Sequence, residues 1–274
     1  MISVIIPSYN SGKYVIKAVT SALNQNVEKE IIVIDDCSTD SSIEFLVKYF
    51  EKDFIPRNEK VPQTVYDGAA EVILYWQGKI NDNTLSVYKN LTNQGVATTR
   101  NIGVKLAKGD YIALLDADDW WEEDKLERQL SALEKNNAVL CNTAREITKH
   151  DGTPTGLIIH TPRVISLKKL EHTNYINCSS VLIKKEALLR FPMEHSDAHE
   201  DYLTWLRVLR EYGDVIGIDE PLMKYRLSIG GKSRNKLVAA KMTYKTYCYA
   251  GYGKIKSAIM MIAYTYNGFK KYKK

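Results

Sequence analysis

Three acidic stations mark the first two hundred residues: Asp35-Asp36, Asp116-Ala117-Asp118-Asp119 and His199-Glu200-Asp201. Asp116 and Asp118 stand two apart, so on an extended segment both carboxylates face one way. Such a pair attracts a hard cation, and Mg2+ or Mn2+ suits one or two carboxylates completed by phosphate oxygens. That arrangement can hold a nucleotide diphosphate without a glycine-rich cradle. A calcium loop does not fit, because Asp118 is followed by Asp-Trp-Trp-Glu, without the glycine and terminal glutamate the loop needs. Each aspartate also has a plainer reading as the cap of a following helix or turn, and Asp40 and Asp119 are read that way. Glu200 and Asp201 open an amphipathic stretch, where acids also suit the positive end of a helix.

The elements that must position these groups are legible in part. Ile2–Ile6 is an apolar run ended by Pro7, as in a buried strand, and Glu30–Ile34 is a second that runs into Asp35. Helices are expected from about Lys13 to Asn24 and after Ser41, where Ser41 and Glu44 fit a capping box. Leu85–Tyr88 reads as a strand and Gly95–Ala107 as a loop entering a helix, with Gly109 as its left-handed stop. Tyr111–Leu115 is a strand delivering Asp116, and a helix carrying Leu126, Leu130 and Leu133 follows the acidic Glu122-Glu123-Asp124. Ala138–Asn142 and Val181–Ile183 read as strands, and Glu200–Tyr212 as a helix closed by Gly213. Strand and helix alternating in this way predict an α/β fold with a mostly parallel central sheet flanked by helices. Strand ends bearing Pro7-Ser8-Tyr9-Asn10, Asp35-Asp36 and Asp116-Ala117-Asp118 then share one edge, where such sheets form their ligand crevices. Residues 52–84 hold Pro56, Pro62, Gly68 and Gly78 and read as an excursion from the sheet, with a hairpin in it.

Composition narrows the class. The 274 residues are 45% hydrophobic and 26% charged, which suits a globular chain with a sizeable core rather than a disordered or fibrous one. Cys37, Cys141, Cys178 and Cys248 lack the spacing of a zinc site or disulfide framework, and MISVIIPSYN does not read as a signal peptide, so a reducing cytoplasm is expected. The net charge of +5 is uneven: residues 232–274 carry eleven Lys or Arg and no acid, leaving 27 basic against 33 acidic residues before them. That division suggests two tasks in two places.

Five motifs in order, IIPSYN, VIDDCSTD, NQGVATTRNIG, DYIALLDADDW and HEDYLTW, resemble those of the inverting glycosyltransferases of family 2, over about residues 1–230. The resemblance implies the GT-A fold, Rossmann-like, with a nucleotide-binding half over 1–119 and an acceptor half over 120–228. A helical extension over 229–274 would follow. It implies that Pro7, Tyr9 and Asp36 line the nucleoside pocket, with Asp36 accepting from a uracil ring and Asp35 supporting the turn. Arg100 becomes a candidate for the nucleotide or its phosphates, against a plainer role as partner of a structural carboxylate. Asp116 and Asp118 would be the DxD pair on Mn2+ or Mg2+, with Asp118 the firmer metal contact and Asp116 facing ribose or metal. Asp201 would be the catalytic base, with Glu200 the second choice and His199 a neighbour. Tyr225-Arg226 and Gly230-Gly231-Lys232-Ser233 resemble a segment that closes over the diphosphate.

A base at Asp201 would take the acceptor hydroxyl's proton during attack on the anomeric carbon, inverting it as the nucleoside diphosphate leaves. The expected partners are a nucleotide-sugar donor, probed first as UDP-linked, and a saccharide or lipid-linked saccharide acceptor. Seven of the eighteen tyrosines fall in 232–274 among the lysines, a mixture that suits an anionic membrane surface and equally suits helices packed on the catalytic body. Membrane attachment would place the chain at the inner face of the cell membrane. A sugar-phosphate nucleotidyltransferase is the rival enzyme, though the first strand leads into Pro-Ser-Tyr-Asn rather than a glycine-rich loop. A non-catalytic binder of nucleotide sugars or nucleic acid is the other rival, and nucleic acid is not expected of an acidic body lacking its motifs.

Overall fold

The computed structural model describes residues 1–65, 71–227 and 236–272. Gly68 and the 230–233 stretch lie outside them. Strand β1 (Ile2–Ser8) runs parallel to β2 (Lys29–Asp35) and to β6 (Tyr111–Leu114), and β2 runs parallel to β5 (Asn83–Asn90). β1 and β2 are buried along their whole length because helices cover both faces, which is why they read as continuous apolar runs. Register puts Ser8 beside Asp35, and Leu115 continues β6 by donating its N–H to Ile5. The polar strand ends therefore reach one edge together.

Parallel order holds for these four strands, and antiparallel pairing enters on both sides. β11 (Val181–Lys184) sits antiparallel between β6 and β8 (Leu140–Thr148), and β12 (Val215–Arg226) joins β8 in parallel. On the far side, β4 (Val72–Ile80) pairs antiparallel with β5, and β3 (Phe54–Lys60) with β4. The segment expected to leave the sheet is thus its own edge. Its prolines and alternating polar residues suit a strand with one neighbour, and Pro56 falls beside a bulge at the outermost position. Short strands β7 (Trp120–Trp121), β9 (Pro154–Ile159) and β10 (Val164–Ile165) complete the described sheet.

Helices α1 (Tyr14–Leu23), α2 (Ser42–Tyr49), α3 (Val96–Leu106) and α4 (Lys125–Asn136) fall where the apolar spacing placed them. Two local expectations change. Ser41 makes no side-chain cap; Asp40 accepts the Ser42 N–H at 3.0 Å and that of Gly12 at 3.1 Å, since its carboxylate reaches both loops at once. Gly109 is not in the left-handed region either. A Cβ there would lie 2.8 Å from the Met1 carbonyl and the Ser3 nitrogen, so the glycine answers to close backbone approach.

The short helices α5 (Leu167–His172) and α6 (Lys185–Arg190) precede α7 (Glu200–Tyr212), which ends at Gly213 with φ 84°. Tyr202, Leu203, Trp205, Leu206 and Leu209 of α7 are buried in the core against helices of the C-terminal extension, α8 (Lys236–Tyr249) and α9 (Lys254–Tyr272). Tyr247 is fully buried; its hydroxyl lies 3.0 Å from that of Tyr202 and donates to the Glu171 carbonyl at 2.6 Å. The inner faces of the extension therefore belong to the body. Their outer faces keep Leu237, Ile255, Ile259 and Ile262 exposed. Among the described residues no helix is long and apolar enough to cross a membrane.

Candidate active site

A cleft of about 600 Å3 opens at the shared strand edge. Pro7, Tyr9, Arg100, Asp116, Asp118, Glu200 and Asp201 all line it, bringing β1, α3, the loop after β6 and the start of α7 to one place. Asp36 does not line it. Its carboxylate is 2% exposed and accepts three hydrogen bonds of 2.8 Å, from Asn90 Nδ2, Gln94 N–H and Gly95 N–H. Those donors leave it fastening the β5–α3 loop, in place of the expected uracil contact. Asp35 supports its turn through the Ser38 N–H at 3.2 Å, and burial raises its pKa.

Arg100 is 6% exposed and spans two of the acidic stations. Its Nη2 donates to Asp116 Oδ1 at 2.5 Å, and its Nη1 lies 3.6 Å from Glu200 Oε1. Burial alone would lower its pKa, but the charges around it, Asp116 foremost, hold it above its ordinary value. The guanidinium is thus engaged with carboxylates of both halves while still lining the cleft.

Asp118 carries no such partner on its carboxylate among the described hydrogen bonds. Burial, then the charge of Asp116, pushes its pKa up to about 6. Asp119 lies deeper: burial and then Asp118 raise its pKa, one oxygen accepts the Arg226 N–H at 3.0 Å, and the other is buried without a partner. Asp116 and Asp118 both line the cleft, where the charge of Asp116 adds to burial in raising the Asp118 pKa, a setting that fits a divalent cation between Asp118 and phosphate oxygens. No cluster of three or more metal-binding side chains occurs among the described residues.

Tyr225 and Arg226 end β12, so they belong to a strand rather than to a closing segment. The Arg226 guanidinium donates to the Asp118 carbonyl (2.8 Å) and the His150 carbonyl (2.7 Å), and lies between the Tyr14 and Trp120 rings at 4.2 and 4.8 Å. Two aromatic rings within cation–π distance and two carbonyl acceptors hold the side chain as a cation beside the Asp116–Asp119 loop.

Asp201 accepts the Tyr202 N–H at 2.7 Å, and burial followed by the charge of Glu200 raises its pKa. The residues leading to it are held from α8: Thr246 Oγ1 accepts the His199 N–H at 3.0 Å, Lys245 pairs with Asp197 at 2.5 Å, and the His195 ring stacks on Tyr249 at 3.8 Å. Met242 of α8 also lines the cleft. The extension thus enters the site, and the two-task division suggested by charge is too sharp. Asn10, Tyr14, His150, Asn177 and Met242 line the cleft without having been singled out in the sequence. Only the IIPSYN motif pointed toward any of them; His150, Asn177 and Met242 come from segments with no motif.

Parallel strands with carboxylates on a loop after the fourth of them, and an acid pair opening a helix across the cleft, are the arrangement of the GT-A fold. Superposition supports the fold: S. aureus TarS 1–349, a structure in complex with UDP-GlcNAc, matches with a TM-score of 0.68 at 16% identity, over 98% of this chain and 72% of that one. Residues 3–189 match the family described as glycosyl transferase family 2, and the chain belongs to that family and is a glycosyltransferase. It is 32% identical over 248 residues to TuaG of Bacillus subtilis (strain 168), a protein named for teichuronic acid biosynthesis, covering 90% of this chain and 87% of that protein. It is 28% identical to WfaP of Escherichia coli, named a UDP-Glc:alpha-D-GlcNAc-diphosphoundecaprenol beta-1,3-glucosyltransferase, covering 86% and 81%.

Proposed function

We propose that this glycosyltransferase moves a sugar from a UDP-linked donor to a hydroxyl of a lipid-linked saccharide, inverting the anomeric carbon with the help of Mn2+ or Mg2+. The observation that carries the reading is the meeting of Asp116 and Asp118 with Glu200 and Asp201 around one cleft lined also by Pro7 and Tyr9. Asp201 is assigned as base: the cleft excludes enough water to raise its proton affinity, and the adjoining Glu200 is already committed to Arg100. Asp118 would hold the cation, with Asp116 turned toward it or the ribose; when bound, the ion supplies Lewis-acid charge to the leaving diphosphate. Arg226 adds a fixed positive charge on the same side, and Pro7 with Tyr9 gives a flat apolar wall for the base. The lipid-linked acceptor is suggested by the names of the relatives. Turnover of a nucleotide-sugar panel, with and without Mn2+ and with Asp201→Asn, tests the reading. UDP release that needs Mn2+ and collapses in the variant is expected; metal-independent release, or near-normal turnover by Asp201→Asn, counts against it.

Attachment to an anionic membrane face is the second part of the reading. Ile255, Ile259, Ile262 and Tyr266 recur at helical spacing on α9 with 81, 63, 65 and 60% exposure, and Lys254 and Lys256 beside them are exposed. An apolar stripe edged by lysines suits insertion at lipid headgroups. Full-length protein should sediment with phosphatidylglycerol vesicles and Ile259→Glu/Ile262→Glu should not; equal sedimentation removes this part.

A further inference from the structure

A second cavity, of about 190 Å3, lies behind the base. It shares Asn177 and Asp201 with the main cleft, so these two residues stand at the junction between the two spaces. Its other walls come from Arg145 of β8, Asn174 of the loop after α5, and Tyr264 and Gly268 of α9. At this size it takes one sugar ring and not a drug-sized molecule or a chain of sugars. The walls carry what a pyranose requires: an aromatic ring for the apolar face of the sugar, and N–H donors for its oxygens. Asn177 Oδ1 accepts the Ser179 N–H at 3.0 Å, which fixes the side chain and leaves the amide N–H groups as its donors. Arg145 is 7% exposed, with its guanidinium 5.9 Å from the centre of the Tyr225 ring. Tyr264 is braced by Tyr202, ring centres 5.4 Å apart.

We propose that this cavity is the acceptor subsite: the terminal pyranose ring of the acceptor enters it, with Tyr264 as its wall and its attacking hydroxyl at the Asn177–Asp201 junction. The proposal rests on the glycosyltransferase reading of the main cleft and adds which surfaces choose the acceptor. The C-terminal extension, through α9, then acts as a specificity element of the site.

Gly268 gives a clean way to test it. A Cβ at this position meets nothing within 4 Å, so a larger side chain extends into open space while replacing a poor helix former. Saturation-transfer NMR on the full-length protein with UDP, Mg2+ and a panel of methyl glycosides (a hexose, an N-acetylhexosamine and a hexuronic acid) reads both sites in one tube. At least one glycoside should bind the wild-type protein, and Gly268→Phe should reduce its signal at least fivefold relative to that of UDP, with Gly268→Ala near the wild-type ratio. A glycoside signal untouched by Gly268→Phe, or no glycoside bound beside a clear UDP signal, overturns the subsite. Loss of the UDP signal in the wild-type protein would instead strike the reading of the main cleft, so the two failures are separable.

Discussion

Arg226 Nε donates to the backbone carbonyl of Asp118 at 2.8 Å, tying the last residue of β12 to the loop that carries the DxD carboxylates. The guanidinium also lies within cation–π distance of the Tyr14 and Trp120 rings, and its charge offsets that of Asp118. Removing a group that orients a metal ligand typically costs about 10–100-fold in metal affinity or activity. Arg226→Met should therefore raise the Mn2+ concentration for half-maximal turnover by about that factor, and Arg226→Lys, lacking the planar fork, should rescue little. Mn2+ titrations that superimpose with wild type would refute the role.

Asp36 is expected to be a stability residue. Its carboxylate satisfies two backbone N–H groups and one side-chain amide inside the protein. Asp36→Ala removes the acceptor of all three, and because Gln94 and Gly95 are half-buried and Asn90 Nδ2 still reaches Thr99 Oγ1 at 3.2 Å, it should cost about 1–3 kcal/mol, the penalty of one buried donor left unpaired. Urea denaturation measures it; a variant of wild-type stability that had lost UDP affinity would return Asp36 to the nucleoside.

The pH profile follows from Asp201. Burial and the Glu200 charge raise its pKa, so the ionised base disappears as pH falls through a value above the ordinary carboxylate range. The acid limb of kcat/KM should lie correspondingly high. Glu200→Gln removes the like charge and should move that limb to lower pH in whatever activity survives. A limb that stays put in Glu200→Gln contradicts the assignment.

Lys125 sits fully buried on α4, donating to Gln129 Oε1 at 2.6 Å with its nitrogen 4.1 Å from the centre of the Trp121 ring, and burial lowers its pKa from near 10.5 to about 7. Between those values the unfolded chain binds a proton that the native one does not, so the lysine's penalty is full below pH 7 and fades as pH rises through the window. Lys125→Met should thus gain on wild type by up to about 4 kcal/mol more at pH 7 than at pH 10.5, because each tenfold loss of proton affinity on folding is worth about 1.4 kcal/mol. Parallel stability curves for the two proteins would show that the lysine keeps an ordinary pKa.

The parallel centre of the fold was readable because β1, β2 and β6 are buried on both faces and end in polar residues, a pattern that shows as short continuous apolar runs with polar ends. β3 and β4 were not, since an edge strand with one neighbour tolerates Pro56 and polar residues, and so looks like a loop. At the site, Asp118 and Asp201 carried motif context, whereas Asp36 lay in one without revealing that Gln94, Gly95 and Asn90 would consume its carboxylate. Whether an acid faces a ligand or its own backbone depends on loops that meet only in three dimensions. Arg145 and Asn177 had no local signal at all, because their position follows from β8 and the segment before β11 arriving beside the base from distant parts of the chain.

α9 has solvent-facing isoleucines on one side and Tyr264 and Gly268 on the cavity side, and a helix with its side chains is about 10–12 Å across. One rod thickness therefore separates the outermost apolar surface from the chamber beside Asp201. A sugar tethered to a lipid would need a spacer of that length, two phosphates and little more, to lean from a bilayer over the rod and present its hydroxyl. Under the proposed attachment and acceptor, the helix would double as a ruler, and lengthening or thinning it would change which tethers reach.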